Sequence, residues 1–199
     1  MRTVVLALAC LYGSLIAADK KLTKEESTKV IEVAIRKAIL KPDGELTQAD
    51  LEKVTFLNLS KKALITVEGL PYLANLKELD LRYNYLTNVR GLEKFASLAG
   101  LHLTGNPLTT IEGLGKLKNL THLNLDLRHN WGNGHNGSFN TLTGLENLTN
   151  LEELRIENND LTSVAVLEKM TRLKVLKLGE NSLTSVAGLE KLTNLEHLD

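Results

Sequence analysis

Residues 76–97 read LKELDLRYNYLTNVRGLEKFAS, residues 98–119 LAGLHLTGNPLTTIEGLGKLKN, and residues 173–194 LKVLKLGENSLTSVAGLEKLTN. Leucine or a close substitute returns at the same offsets, asparagine stands ninth, and a Gly-Leu pair follows in the first two and the last. A fixed period in this range marks a solenoid, whose units cannot bury their apolar side alone and stack against their neighbours. Working outward, the units are 54–75, 76–97, 98–119, 120–150, 151–172 and 173–194, with an incomplete seventh over 195–199.

Within each unit the alternation Leu-x-Leu is the period-two signal of a strand. Leu79 with Leu81, Leu101 with Leu103, Leu154 with Ile156 and Leu176 with Leu178 point inward, and their neighbours point out. Every unit repeats the same order, so successive strands pair in parallel through right-handed crossovers, not hairpins. The recurring asparagine (Asn84, Asn106, Asn159, Asn181; Lys62 in the first unit) is expected to serve backbone groups left free where the strand turns away. Gly69, Gly91, Gly113, Gly144 and Gly188 mark the opposite turn, and Val166 in their place predicts a strained or altered turn.

The ends do not follow the period. MRTVVLALACLYGSLIAA has one early positive charge, an apolar run and Ala17-Ala18 before charge begins, the layout of a secretory signal over 1–18. It is short for a membrane span, and no other insertion into a membrane is expected. The only cysteine, Cys10, lies within it, and Ala7-Leu8-Ala9 fits lipoprotein cleavage poorly. The remainder then has no thiol for disulfide or zinc-thiolate chemistry. Over 19–53, Thr23 with Glu26 forms a capping box ahead of the stripe Val30, Ile31, Ala34, Ile35, Ala38, Ile39. That helix should stop near Leu40, before the KPDG turn, and Thr47 with Asp50 starts a second, short one. Together they form a helical lid over the open end of the stack. The far end at LEHLD has none, which predicts either a longer protein or self-association through that end.

The pattern LxxLxLxxNxLxxIxGLxxLxx resembles the leucine-rich repeat, in the 22-residue class of bacterial internalin-like proteins. The resemblance spans 54–199 and the helical front end. It implies an α/β fold: a right-handed, curved horseshoe solenoid with a parallel sheet on its concave face. It also implies protein binding by that face or an adjacent edge. A fold of this kind hosts many unrelated partners, so the partner's identity does not follow.

Lys+Arg and Asp+Glu balance at 24 each, which gives no long-range attraction for nucleic acid. No serine-histidine-acid set, phosphate-binding loop or paired-carboxylate cleft can be assembled, so no enzyme activity and no cofactor is expected. The sequence therefore reads as a non-catalytic protein-binding scaffold, secreted, periplasmic or at the cell envelope. A regulatory subunit docking on an intracellular enzyme such as a phosphatase is the rival reading, as is a truncated paralogue with no partner. Binding residues are sought among large or charged side chains: Arg82, His102, His122 and Arg155 on the outward columns, and Tyr83 and Tyr85 near the edge. The fourth unit runs to 31 residues, and its nine surplus residues lie within about 126–138. That insertion is a polar loop bearing the single tryptophan, Trp131, as a further contact. Asp126, His129 and His135 are too few and too loosely framed for a metal site. Asn58, Asn119, Asn136 and Asn147 begin Asn-x-Ser/Thr triplets, two of them by-products of a recurring NLT.

Overall fold

A computed structural model describes residues 21–127 and 137–199 of the chain. The expected signal over 1–18, Trp131, His129 and His135 lie outside the described residues. The first helix, α1, spans Lys24–Ala38. Its start is the expected capping box: Thr23 Oγ1 accepts the Glu26 N–H (3.2 Å) and Glu26 Oε2 accepts the Thr23 N–H (2.8 Å). Ser27, Ile31 and Ile35 are buried, with Val30, Ala34 and Ile39 partly so, while Ala38 is exposed. The helix stops short of Leu40 because Leu40 takes a left-handed conformation, φ 55°. The short α2, Gln48–Leu51, carries the second box on Thr47 and Asp50. Asp50 also gathers Lys41 Nζ (2.6 Å) and Lys53 Nζ (3.1 Å), which fastens the intervening turn. Lys41, with the Thr47 and Lys53 donors, holds the Asp50 carboxyl far below the usual carboxylate range. Among the described residues no helix is long and apolar enough to cross a membrane.

Seven strands follow: β1 Phe56–Asn58, β2 Glu78–Asp80, β3 Gly100–His102, β4 His122–Asn124, β5 Glu153–Arg155, β6 Val175–Lys177 and β7 His197–Leu198. They form one parallel sheet in sequence order, with α1 packed on the β1 end. Leu57, Leu79, Leu101, Leu123, Leu154 and Leu176 align across it and are buried. The core is thus a continuous column of aliphatic side chains, each burial worth about 1.5–3 kcal/mol. Between β4 and β5 the register holds although the chain is longer there: Leu123 meets Leu154. The added length does not shift the pairing of the flanking strands.

The asparagines do what the spacing implies. Asn84 Oδ1 accepts the N–H groups of Lys62 and Leu64 in the preceding coil, both at 3.0 Å. Its Nδ2 donates to the carbonyls of Leu59 (2.9 Å) and Leu81 (2.8 Å). Asn106 repeats the pattern with Leu86 N–H, Leu81 O and Leu103 O, and Asn181 with Leu161 N–H, Ile156 O and Leu178 O. Asn159 differs. It faces the coil that carries the insertion, its donors lengthen to 3.2–3.5 Å, and its buried Oδ1 has no partner among the described residues.

A second amide ladder runs on the entry side of the strands. Asn75, Asn119, Asn150 and Asn194 each donate from Nδ2 to a carbonyl of the coil before, at Glu52, Ala96, Lys118 and Thr171, at 2.7–2.9 Å. Asn119 therefore has a structural use within its NLT triplet.

The glycine turn is left-handed at Gly113 (φ 101°) and Gly188 (φ 97°), each followed by a three-residue 3-10 helix. A side chain there would be strained. Val166 avoids the left-handed region altogether: it lies within a longer 3-10 stretch, Ala165–Lys169, so the expected altered turn is found. In three coils the glycine N–H is also bonded by the glutamate two residues on, Glu93, Glu146 and Glu190, at 2.7–2.8 Å.

Removing a fully bonded ladder amide strands several buried backbone groups, at about 1–3 kcal/mol each. Asn84→Ala should therefore lower unfolding free energy by about 3 kcal/mol or more, and Asn159→Ala by only about 1 kcal/mol. Urea titrations of both variants check this, and equal losses would contradict the ladder's bonding pattern.

Candidate protein-binding face

The outward side chains of the strands form columns fixed by the register. One runs Phe56, Glu78, Gly100, His122, Glu153, Val175, His197, and the next Asn58, Asp80, His102, Asn124, Arg155, Lys177. A third, at the strand exits, includes Ser60, Arg82, Thr104, Asp126, Glu157 and Gly179. The face is less solvated than the alternation implies. Asp80, Thr104 and Asp126 are buried despite pointing outward.

Their hydrogen bonds explain the burial. Asp80 accepts from the Arg82 backbone N–H (3.0 Å), Arg82 Nε (3.0 Å) and Arg82 Nη2 (2.7 Å). Burial pushes the Asp80 carboxyl up, but the Arg82 side chain and backbone donors outweigh it and leave the group below its ordinary value. Asn58 and Asn124 accept the N–H two residues on in the same way, at Ser60 and Asp126 (both 2.9 Å). This is a local Asx turn that ends β1, β2 and β4. Arg155 breaks the series, and Asp126 of the preceding coil substitutes by accepting the Glu157 N–H at 2.9 Å. Asp126 thereby clamps the root of the insertion to β5. Thr104 Oγ1 donates to Asn124 Oδ1 at 2.7 Å.

Both arginines expected as contacts are held by acids two residues earlier in the chain. Arg82 forms the fork on Asp80, and Arg155 Nε donates to Glu153 Oε1 at 2.6 Å. Each guanidinium is paired with its acid while staying partly exposed. His102 Nε2 lies 3.4 Å from Glu78 Oε1, and the Glu78 chain runs over Gly100. His122 Nδ1 is 2.9 Å from Thr121 Oγ1. Glu78, Asp80, Arg82 and His102 thus form one polar cluster on β2 and β3, and Glu153, Arg155 and Asp126 a second around β5.

Tyr83 and Tyr85 belong to the exit edge. Tyr83 takes a left-handed conformation, φ 59°, as do Lys61 and Asn158 at the same place in their coils. Its ring lies against Gly105, where an added Cβ would come within 2.6 Å, and Lys61 Nζ sits 5.3 Å from the ring centre. Tyr85 is half-buried on the core with Lys21 Nζ 5.5 Å from its ring. The two rings meet different lysines. On the entry side a shallow hollow is lined by Glu152, Arg172, Lys174, Asn194 and Glu196, with Lys174 Nζ 2.7 Å from Glu152.

A family model described as Leucine Rich Repeat matches residues 75–95. No curated protein matches the chain. Among solved structures, the chain is similar to the functional domain of InlJ from Listeria monocytogenes, at 20% identity, 77% of this chain, 31% of that one and a TM-score of 0.60. Internalin C2 of the same organism gives 26% identity over 85% of this chain and 92% of that one, with a TM-score of 0.47. Internalin InlF, also from that organism, gives 22% identity, 93% and 72%, with a TM-score of 0.46.

The Asp80 environment predicts an acid-side stability loss. A carboxyl depressed in the folded chain, against about 3.9 unfolded, stabilises above that value and loses the contribution as pH falls through the folded one. Urea midpoints taken from pH 5 down to pH 2.5 should fall more steeply in the wild type than in Asp80→Asn. Parallel curves would show that Arg82 does not hold the charge.

Proposed function

We propose that this chain, an internalin-like leucine-rich-repeat solenoid, is a non-catalytic protein-binding scaffold that works outside the cytoplasm. The observation that supports it most is the pre-set inner face: two arginines fixed by their own acids, with the polar side chains between them tied to one another. A partner meeting such a face orders few side chains on binding, which lowers the entropic cost of association. The contacts are Arg82, Tyr83, His102, His122 and Arg155, with Tyr85 beside them and Trp131 supplied by the insertion. Asp126 anchors that insertion next to Arg155, so the loop and the second polar cluster act on the same partner protein. The 1–18 segment directs export, and the exported protein begins at Asp19.

A photoreactive residue placed at His122 or Arg155 should crosslink one protein from the cell exterior that the same residue at exposed Glu168, on the far turn, does not. Trp131→Ala should weaken capture of that protein about tenfold, on the hot-spot scale, with the melting temperature nearly unchanged. Equal crosslinking from Glu168 would remove the inner face from the reading. Mass spectrometry of the exported chain tests the Asp19 start.

A further inference from the structure

Lys21, Lys61 and Lys62 share one stretch of the exit edge, where the lid meets the first two coils. Backbone bonds set these layers side by side. Leu22 N–H donates to Ala63 O (3.1 Å), Lys61 N–H to Arg82 O (2.9 Å) and Tyr85 N–H to Leu64 O (2.8 Å). Lys21 thereby reaches across the first coil to the Tyr85 ring, and Lys61 rests its ammonium on the Tyr83 ring of the next coil. Lys62, beside Lys61, is exposed.

Neighbouring cations have acids of their own. Lys24 Nζ lies 3.8 Å from Glu68, and Arg82 is forked on Asp80. Lys21, Lys61 and Lys62 have no carboxylate partner among the described residues. Glu26 of the lid is held in its capping box. Residues 57–67 and 81–92 contain Lys61, Lys62, Arg82 and Arg90 but no aspartate or glutamate. In the fifth and sixth coils the sign reverses. Residues 156–166 and 178–188 contain Glu157, Asp160 and Glu180 and no lysine or arginine. The edge is therefore basic at the lid end and acidic further along.

A ring face attracts an ammonium group without accepting its three N–H donors as an oxygen would. The tyrosines position Lys21 and Lys61 and leave their donors for an anion. Like charges held together without a counter-charge raise the energy of the free surface, and an arriving carboxylate relieves it.

We propose that an acidic segment of the partner protein binds this edge, its carboxylates seated on Lys21, Lys61 and Lys62 beside Tyr83 and Tyr85. The proposal rests on the protein-binding reading and adds the partner's charge and polarity: its acidic part faces the lid end, away from Glu157, Asp160 and Glu180.

The probe is a fluorescein-labelled octaglutamate peptide, titrated with the full chain at low ionic strength and again at physiological salt. Anisotropy should show binding that weakens as salt rises. Lys21→Gln, Lys61→Gln and Lys62→Gln together should weaken it about tenfold, roughly twofold to threefold for each exposed ion pair, with the melting temperature unchanged. Lys116→Gln, Lys169→Gln and Lys191→Gln remove the same charge from the 3-10 turns and should leave binding within about twofold. Arginine in place of the three edge lysines should retain binding. Equal weakening by the two glutamine sets would reduce the effect to net charge and overturn the proposal. Binding of dextran sulfate without binding of octaglutamate would also overturn it, because the edge would then take a sulfated polymer. Either failure leaves the crosslinks from His122 and Arg155 standing. Loss of those crosslinks with octaglutamate still bound would overturn the inner-face contacts and support the edge.

Discussion

A buried carboxamide that recurs in four of the coils is the contact on which the rest of the molecule depends. At the exit of each strand the chain must leave the sheet, and its N–H and C=O groups lose their ladder partners among buried leucines. Asn84, Asn106 and Asn181 fill that gap from the next coil, each donating to carbonyls of two coils and accepting from the earlier one. The leucine columns supply most of the burial energy, but leucine packing is non-directional. The amide adds direction, because it bonds only when coils are stacked in register. Where its acceptor side goes without a partner among the described residues, at Asn159, the neighbouring coil is the one that departs from the period.

That register produces the inner face. Because each strand sits beside its counterpart, equivalent side chains line up in columns, and short-range pairs form within a strand as well as between strands. Asp80 with Arg82 and Glu153 with Arg155 are pairs of the first kind; Thr104 with Asn124 and Asp126 with Glu157 are of the second. The outcome is a polar surface whose two arginines are each paired with an acid. Such a surface recognises by shape and by the placement of a few donors more than by net charge.

Much of this was legible in the sequence. The period, the parallel strands, both capping boxes and the use of the ninth asparagine follow from spacing, because each is a demand of the backbone that recurs with the coil. The hydrogen bonds that cross coils were harder to see. Asn119 reads as half of an NLT triplet, yet its amide holds Ala96 O. Asp80 and Asp126 read as solvated charges on an outward column, yet both are buried by bonding to a backbone N–H. An alternating pattern states which way a side chain leaves the strand, not where its end comes to rest. Val166 falls between: its misfit to the turn was plain, and the longer 3-10 stretch that absorbs it needed coordinates.

Native-state hydrogen exchange is the most direct test of the amide ladder as the element that fixes the stack. Leu64, Leu86 and Leu161 donate their N–H groups to asparagine side chains, not to any backbone. These amides should exchange as slowly as the sheet amides of Leu59 and Leu81, and only through global opening. Exchange at the rate of solvent-exposed turn amides would contradict the ladder's role and leave leucine packing alone to hold the coils.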